Sequence, residues 1–170
     1  MLIQNMNNIT ENFRLPRYKE IPDIGLYLEQ TVSYINNMLS IIDISITSSM
    51  LCNYVKKGYV THPVRKKYYP EQISYIIFIV IVKQVLSMEN ISALFSLQKS
   101  TYPLPVAYDF FCSKLEKTLS EIYEGNSDFA TSPVQFPFEK KIINSVITTT
   151  AQIIYLNDCF KNRISDSPIS

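Results

Sequence analysis

The sequence contains very little histidine and glycine, and each shortage excludes a class of site. His62 is the only histidine, so neither a histidine-based catalytic triad nor a multi-histidine metal site can form within one chain. Only three glycines are present, which argues against a phosphate-cradling loop and against an all-β fold of tight turns. No residue pattern suggests a catalytic group. We therefore expect a protein that is not an enzyme and that needs no cofactor and no metal.

Cysteine is also scarce, and its three positions are far apart. Cys52, Cys112 and Cys159 include no CxxC pair. This pattern predicts reduced thiols rather than a disulfide framework. The N-terminus lacks the features of a signal peptide, and the apolar run over residues 75–82 is shorter than the roughly 18 to 20 residues that a membrane span needs. We expect a cytoplasmic protein that does not contact a membrane.

What the chain does contain is enough apolar sequence for a buried core. It has 170 residues, of which 46% are hydrophobic and 18% charged. These values predict one globular domain, or one small domain with an extension, and exclude global disorder.

The charges are unevenly distributed although the net charge is only +1. No aspartate or glutamate occurs between Ile44 and Pro70. The basic residues of that stretch are Lys56, Lys57, Arg65, Lys66 and Lys67. Local positive charge of this kind suits a phosphate backbone. A solvated basic loop without a partner explains the same run.

Helix signals and prolines divide the first third of the chain. Residues 1–23 are predicted as an extended N-terminal arm, because two prolines interrupt regular structure there. Asp23 is expected to cap a helix over residues 24–39. Thr47 or Ser48 is expected to cap a second helix that runs to Lys57 and ends at Gly58.

The rest of the chain predicts a mainly helical fold with one small β-hairpin. A turn at Pro63 predicts a hairpin over residues 59–69. Pro70 and Glu71 open a buried helix that should reach Leu86, although residues 76–82 alone would also suit a strand. Further helices are expected over residues 88–97, 104–124 and 138–162. The last of these carries more apolar residues than one neighbouring helix would cover, so it seals the monomer's own core or pairs with a second copy.

The stretch MLCNYVKKGYV, KKYYPEQI and VLSMENI resembles the DNA-binding head of MerR-type regulators. The matching residues are Leu51, Tyr54, Gly58, Pro63, Lys67, Tyr69, Glu71, Ile73, Ser87, Glu89 and Ile91. The whole chain, with LPRYKEIPDIGLY near its start, is similar to a family of uncharacterised proteins from Gram-positive bacteria that has such a head and a helical C-terminal part. The resemblance implies a winged helix-turn-helix domain over residues 24–100, with residues 101–170 as a helical region packed on it.

These observations predict a DNA-binding transcriptional regulator, with a recognition helix at about residues 48–57 and a basic wing at about residues 59–69. Ser49 and Asn53 would contact base edges, since asparagine can pair with adenine in the major groove. The residues expected to contact phosphate are Lys56, Lys57, Arg65, Lys66, Lys67 and Tyr68. The partners would be double-stranded DNA and, through the long C-terminal helices, a second copy of the chain.

An alternative function remains open, because the chain departs from the MerR pattern. The usual recognition-helix arginine is replaced by Cys52, and a neighbouring tyrosine by Asn53. The alternative is a protein-interaction or ligand-sensing module on a winged-helix scaffold that does not bind DNA. The two hypotheses differ in the expected surface, since DNA binding requires the helix and the wing to form one basic face without an intruding acid.

Overall fold

A computed structural model describes residues 9–126 and 136–165. The first eight residues of the predicted N-terminal arm lie outside these ranges, as do residues 127–135 and 166–170. The described chain is mainly helical with one small antiparallel sheet, so the predicted fold class is confirmed. None of its helices within the described ranges is long and apolar enough to cross a membrane.

The elements follow one another in a simple order. Two short strands, β1 (Leu26–Tyr27) and β2 (Lys67–Tyr68), form the sheet. The helices are α1 (Leu28–Leu39), α2 (Ser48–Lys56), α3 (Pro70–Val82), α4 (Met88–Thr101), α5 (Leu104–Tyr123) and α6 (Phe138–Ser165). Single turns of 3₁₀ helix occur at Tyr18–Glu20 and Ser40–Ile42.

Helix α3 is the central element of the core. It begins with Pro70, whose missing N–H and fixed φ suit the first helical turn. Its isoleucine and valine side chains are buried on nearly every face, and this all-round burial is why the segment looks strand-like in isolation. The prediction of a helix rather than a strand over residues 76–82 is confirmed, although the helix ends at Val82 and not at Leu86.

The N-terminal segment is built into the core, whereas the sequence predicted an arm along the surface. Phe13, Leu15 and Ile21 are buried. The Arg17 guanidinium donates two hydrogen bonds to the Glu116 carboxylate on α5, at 2.8 and 2.6 Å. No α-helix forms between Phe13 and Gly25, but Tyr18–Glu20 is a turn of 3₁₀ helix, and apolar side chains on either side of Pro16 are buried in the core.

Helix α1 begins later than predicted, because the chain first forms β1. Asp23 does not cap it, and Ile24 is 73% exposed. Gly25 has a positive φ of 76°, and a Cβ atom there would lie 2.8 Å from the Tyr69 ring. Only glycine can lie this close to the Tyr69 ring. The next two residues, Leu26 and Tyr27, pair with β2.

Helix α6 packs along α5 and covers the core from one side. Val146, Ile147 and Ile154 are buried, and the Tyr123 hydroxyl of α5 donates a 3.0 Å hydrogen bond to Asp158. Much of the apolar surface of α6 is therefore used within the monomer.

Candidate nucleic-acid interface

Helix α2 begins and ends where the sequence predicts. The Thr47 hydroxyl oxygen caps it by accepting a 3.2 Å hydrogen bond from the Met50 N–H. At the other end Lys57 is the C-cap residue, and Gly58 has a positive φ of 77°. Both signals are local, which explains why sequence alone located them.

The position of α2 on the domain is set by its buried face and by one asparagine of α1. Leu51, Tyr54 and Val55 are buried against the core. The Asn36 side chain donates a 2.9 Å hydrogen bond to the Ile46 carbonyl and accepts a 2.8 Å bond from the Ile46 N–H. The long connection between α1 and α2 is thereby clamped directly before the helix begins.

The opposite face of α2 is open to solvent. Ser49, Cys52, Asn53 and Lys56 are all exposed, and their spacing of three, four and seven residues places them in one stripe. Lys57 is exposed at the C-terminal end of the helix. The two residues predicted to contact bases, and two of those predicted to contact phosphate, therefore share one accessible surface.

The predicted hairpin contains a tight turn, but its centre is Arg65 and Lys66 rather than Pro63. The Val64 N–H donates to the Lys67 carbonyl at 2.9 Å, and the Lys67 N–H donates back to Val64 at 3.0 Å. Arg65 and Lys66 both have positive φ, 51° and 65°, as in a type I′ turn. Both side chains are exposed at the tip.

The last two predicted phosphate contacts are less accessible. The Lys67 ammonium lies 5.2 Å from the centre of the Tyr27 ring, and the side chain is half-buried. Tyr68 is only 4% exposed, and burial raises the pKa of its hydroxyl, with a smaller contribution from the nearby Cys52 thiol. Tyr68 is thus a core residue, which does not fit the expected phosphate contact.

Two residues that sequence reasoning missed lie against α2. The Glu29 carboxylate of α1 accepts a 2.7 Å hydrogen bond from the Ser48 hydroxyl, so an acid stands at the N-terminal end of the exposed stripe. The Lys83 ammonium lies 3.3 Å from the Tyr54 hydroxyl, and burial lowers its pKa. Both contacts join distant parts of the sequence, and no local pattern indicates them.

The thiols occupy different environments. Cys52 is exposed and Cys159 half-buried, whereas Cys112 is buried on α5 and burial raises its pKa to about 12. Within residues 9–126 and 136–165, no group of three or more histidine, cysteine, aspartate or glutamate side chains is placed to hold a metal ion.

Comparison with known families gives one match. The family described as DUF1836, a domain of unknown function, matches residues 16–111, more than half of the chain. The matched segment starts in the N-terminal arm, covers the whole of the candidate interface and ends within α5. No curated protein and no solved structure matches the chain.

Proposed function

The chain belongs to the DUF1836 family, and from that premise we propose that it is a DNA-binding transcriptional regulator. In this proposal α1 to α4 form a MerR-like winged helix-turn-helix domain of a cytoplasmic protein. Helix α2 enters the major groove, and the turn at Arg65 and Lys66 acts as the wing.

The turn is the observation that carries the proposal. A two-residue turn with positive φ at both positions favours asparagine and glycine, because other L residues are strained in the left-handed region. Here both positions hold exposed, long basic side chains instead. Backbone strain of this kind concentrates at functional positions. Two cations displayed at the tip of a hairpin suit the phosphate backbone of DNA.

The roles within the interface follow from accessibility. Asn53 and Ser49 are assigned to base edges, because both are exposed on the solvent-facing stripe of α2. Lys56 and Lys57 are assigned to phosphates at the C-terminal end of that helix. Lys67 remains a partial contributor, and Tyr68 is removed from the set because it is buried.

We retain a homodimer as part of the proposal, since a regulator of this type binds a two-fold site with two copies. The surface assigned to the second copy is the exposed end of α6. Leu156 and Phe160 are 43% and 57% exposed there and lie four residues apart, on one helix face.

One observation favours the alternative, an interaction or ligand-sensing module that does not bind DNA. The Glu29 carboxylate intrudes at the N-terminal end of α2, the part that reaches deepest into a groove in helix-turn-helix complexes. A negative charge there opposes phosphate binding. Its removal should therefore tighten DNA binding if the protein is a regulator, whereas a module that does not bind DNA should still show no binding.

The proposal is tested with two variants of the full chain and a duplex enriched by selection. Lys66→Ala should weaken binding to all duplexes about equally and lower the salt slope by roughly one unit, since one phosphate is no longer neutralised. Asn53→Ala should cost about 1–3 kcal/mol on the enriched duplex alone. Lys117→Ala removes the same charge from α5, beside Glu121, and is the matched control. Unchanged binding in the first two variants would defeat the proposal.

A further inference from the structure

A cavity beside α3 is the feature for which the proposed DNA contact gives no role. It has a volume of about 250 Å³ and is lined by residues of α3, α4, α5 and the first turns of α6. Its walls are mostly aromatic and aliphatic. The aromatic lining residues are Tyr75, Phe78, Phe95, Tyr102, Tyr108, Phe110 and Phe111.

The aromatic residues of the wall pack against one another in edge-to-face and tilted contacts. The centre of the Phe78 ring lies 5.6 Å from the centre of the Phe95 ring and 4.7 Å from that of Phe111. The Tyr75 and Phe95 ring centres are 4.6 Å apart in an edge-to-face contact. The Tyr75 hydroxyl donates a 2.9 Å hydrogen bond to Gln98, which fixes the polar end of that wall. Such surfaces favour a flat aromatic ligand, because offset and edge-to-face pairs add to the gain from apolar burial.

The cavity lining contains one residue of each charge, Lys140 and Glu139, and the ammonium group of Lys99 lies outside the lining. The Lys140 ammonium lies 5.8 Å from the centre of the Phe110 ring, and the Lys99 ammonium lies 5.7 Å from the centre of Tyr75. Neither lysine makes an ion pair with any residue in the described ranges. The only carboxylate among the lining residues is that of Glu139. Because the Lys140 ammonium makes no ion pair within the described ranges, it is available to the charged group of an anionic ligand.

We propose that this cavity binds a small aromatic carboxylate, with its ring against Phe78 and Phe95 and its charged group toward Lys140. A cavity of about 150 Å³ holds benzene, so by proportion this one would hold a ligand of about ten non-hydrogen atoms. The site is concave, mostly apolar and equipped with a few polar groups, as ligand sites are. The proposal does not depend on DNA binding.

The test uses phenylacetate, which has ten non-hydrogen atoms, and its neutral isostere 2-phenylacetamide. Both are titrated into the full-length protein, without DNA, and binding is followed by protein-observed NMR in about 0.15 M salt. Phenylacetate should bind saturably with a dissociation constant between about 10 µM and 1 mM. It should bind about three- to tenfold more tightly than the amide, since only the acid gains the attraction of the Lys140 ammonium.

Paired variants locate the binding. Ala107→Phe fills the cavity and should weaken phenylacetate binding at least tenfold, whereas Ala93→Phe, at an exposed position of α4 outside the lining, should leave it unchanged. Lys140→Met keeps a long side chain but should reduce the preference for acid over amide to less than twofold. Its control is Lys141→Met, at the exposed neighbouring position.

Three results would overturn the proposal. The first is the absence of saturable binding by either compound up to 10 mM. The second is equal binding of acid and amide by the unaltered protein, which would remove the carboxylate from the assignment. The third is binding that survives Ala107→Phe in a protein whose circular dichroism spectrum matches the parent's. If Ala107→Phe does not fold, the comparison of Lys140→Met with Lys141→Met decides the question.

Discussion

The double variant Arg65→Asn with Lys66→Gly should make the fold more stable and the DNA complex weaker. A left-handed residue other than glycine or asparagine costs roughly 1–2 kcal/mol, and this turn contains two, at φ 51° and 65°. Introducing glycine also increases the entropy of the unfolded chain, which offsets about 0.4–1 kcal/mol. We therefore expect the free energy of unfolding to rise by about 1–3 kcal/mol, measured by urea denaturation.

The same variant removes two of the exposed cations assigned to phosphates. Each phosphate that is no longer neutralised reduces the slope of log affinity against log salt by about 0.9, so the slope should fall by up to about 1.8 per subunit. Fluorescence anisotropy with a labelled duplex at several salt concentrations measures this. The matched control, Lys117→Ala with Lys141→Ala, removes two charges from α5 and α6 and should leave the slope unchanged. The reasoning is refuted if the Asn-Gly variant is less stable, or if it binds DNA as the parent does.

Further predictions test other parts of the account. Glu29→Gln should tighten DNA binding about two- to fivefold in an anisotropy titration, because a carboxylate beside the N-terminus of α2 repels phosphate. Asn36→Ala removes both hydrogen bonds to Ile46 and should lower the free energy of unfolding by about 1–3 kcal/mol in urea, with an unchanged value contradicting the clamp. Phe160→Ser should shift the protein from dimer to monomer in sedimentation velocity, and an unaltered parent that is already monomeric at micromolar concentration would remove the dimer from the proposal. The hydrogen bond from Arg14 lowers the pKa of Glu20 from 4.5 to about 2. Its stabilising effect is present above pH 4.5 and is lost as the pH falls toward 2, so the acid-induced decrease in stability should be smaller in Glu20→Gln, measured by denaturation at each pH.

The parts of the fold that the sequence predicted are those encoded by local signals. Thr47 and Gly58 bound α2, and Pro70 starts α3. Ser87 caps α4 by accepting a 3.2 Å hydrogen bond from the Asn90 N–H. In each case the side chain or backbone group that sets the boundary lies within a few residues of it, so the pattern is visible without tertiary structure.

The parts that sequence reasoning missed depend on contacts between distant segments. Strand β1 exists because Tyr27 pairs with Lys67, forty positions later, and this pairing moved the start of α1. The same pairing determines which of the predicted phosphate contacts in β2 is accessible to solvent. Adjacent strand residues point to opposite faces, so the register buries Tyr68 and leaves Lys67 partly accessible. The exposed stripe of α2 was predictable, because the spacing from Ser49 to Lys56 follows the helical period.

The contact of Glu29 with α2 shows the same limit in electrostatic terms. The sequence between Ile44 and Pro70 contains basic residues and no acid. Packing of α1 against α2 brings a carboxylate to α2 from outside the segment. Charge patterning along a chain therefore identified the basic residues correctly but not the full set of charges that a DNA backbone would meet.

The central claim, that this protein reads DNA through α2 and the turn at Arg65 and Lys66, is tested most directly by selection from a random pool of duplexes. The full-length protein is used for the selection, and the enriched duplex is then compared with a scrambled duplex of the same composition at rising salt. The account predicts enrichment of a defined sequence that is bound at least about 10³-fold more tightly than the scrambled duplex, with affinity falling steeply as salt increases. Failure to enrich any sequence, together with equal and weak binding of both duplexes at low salt, would contradict it.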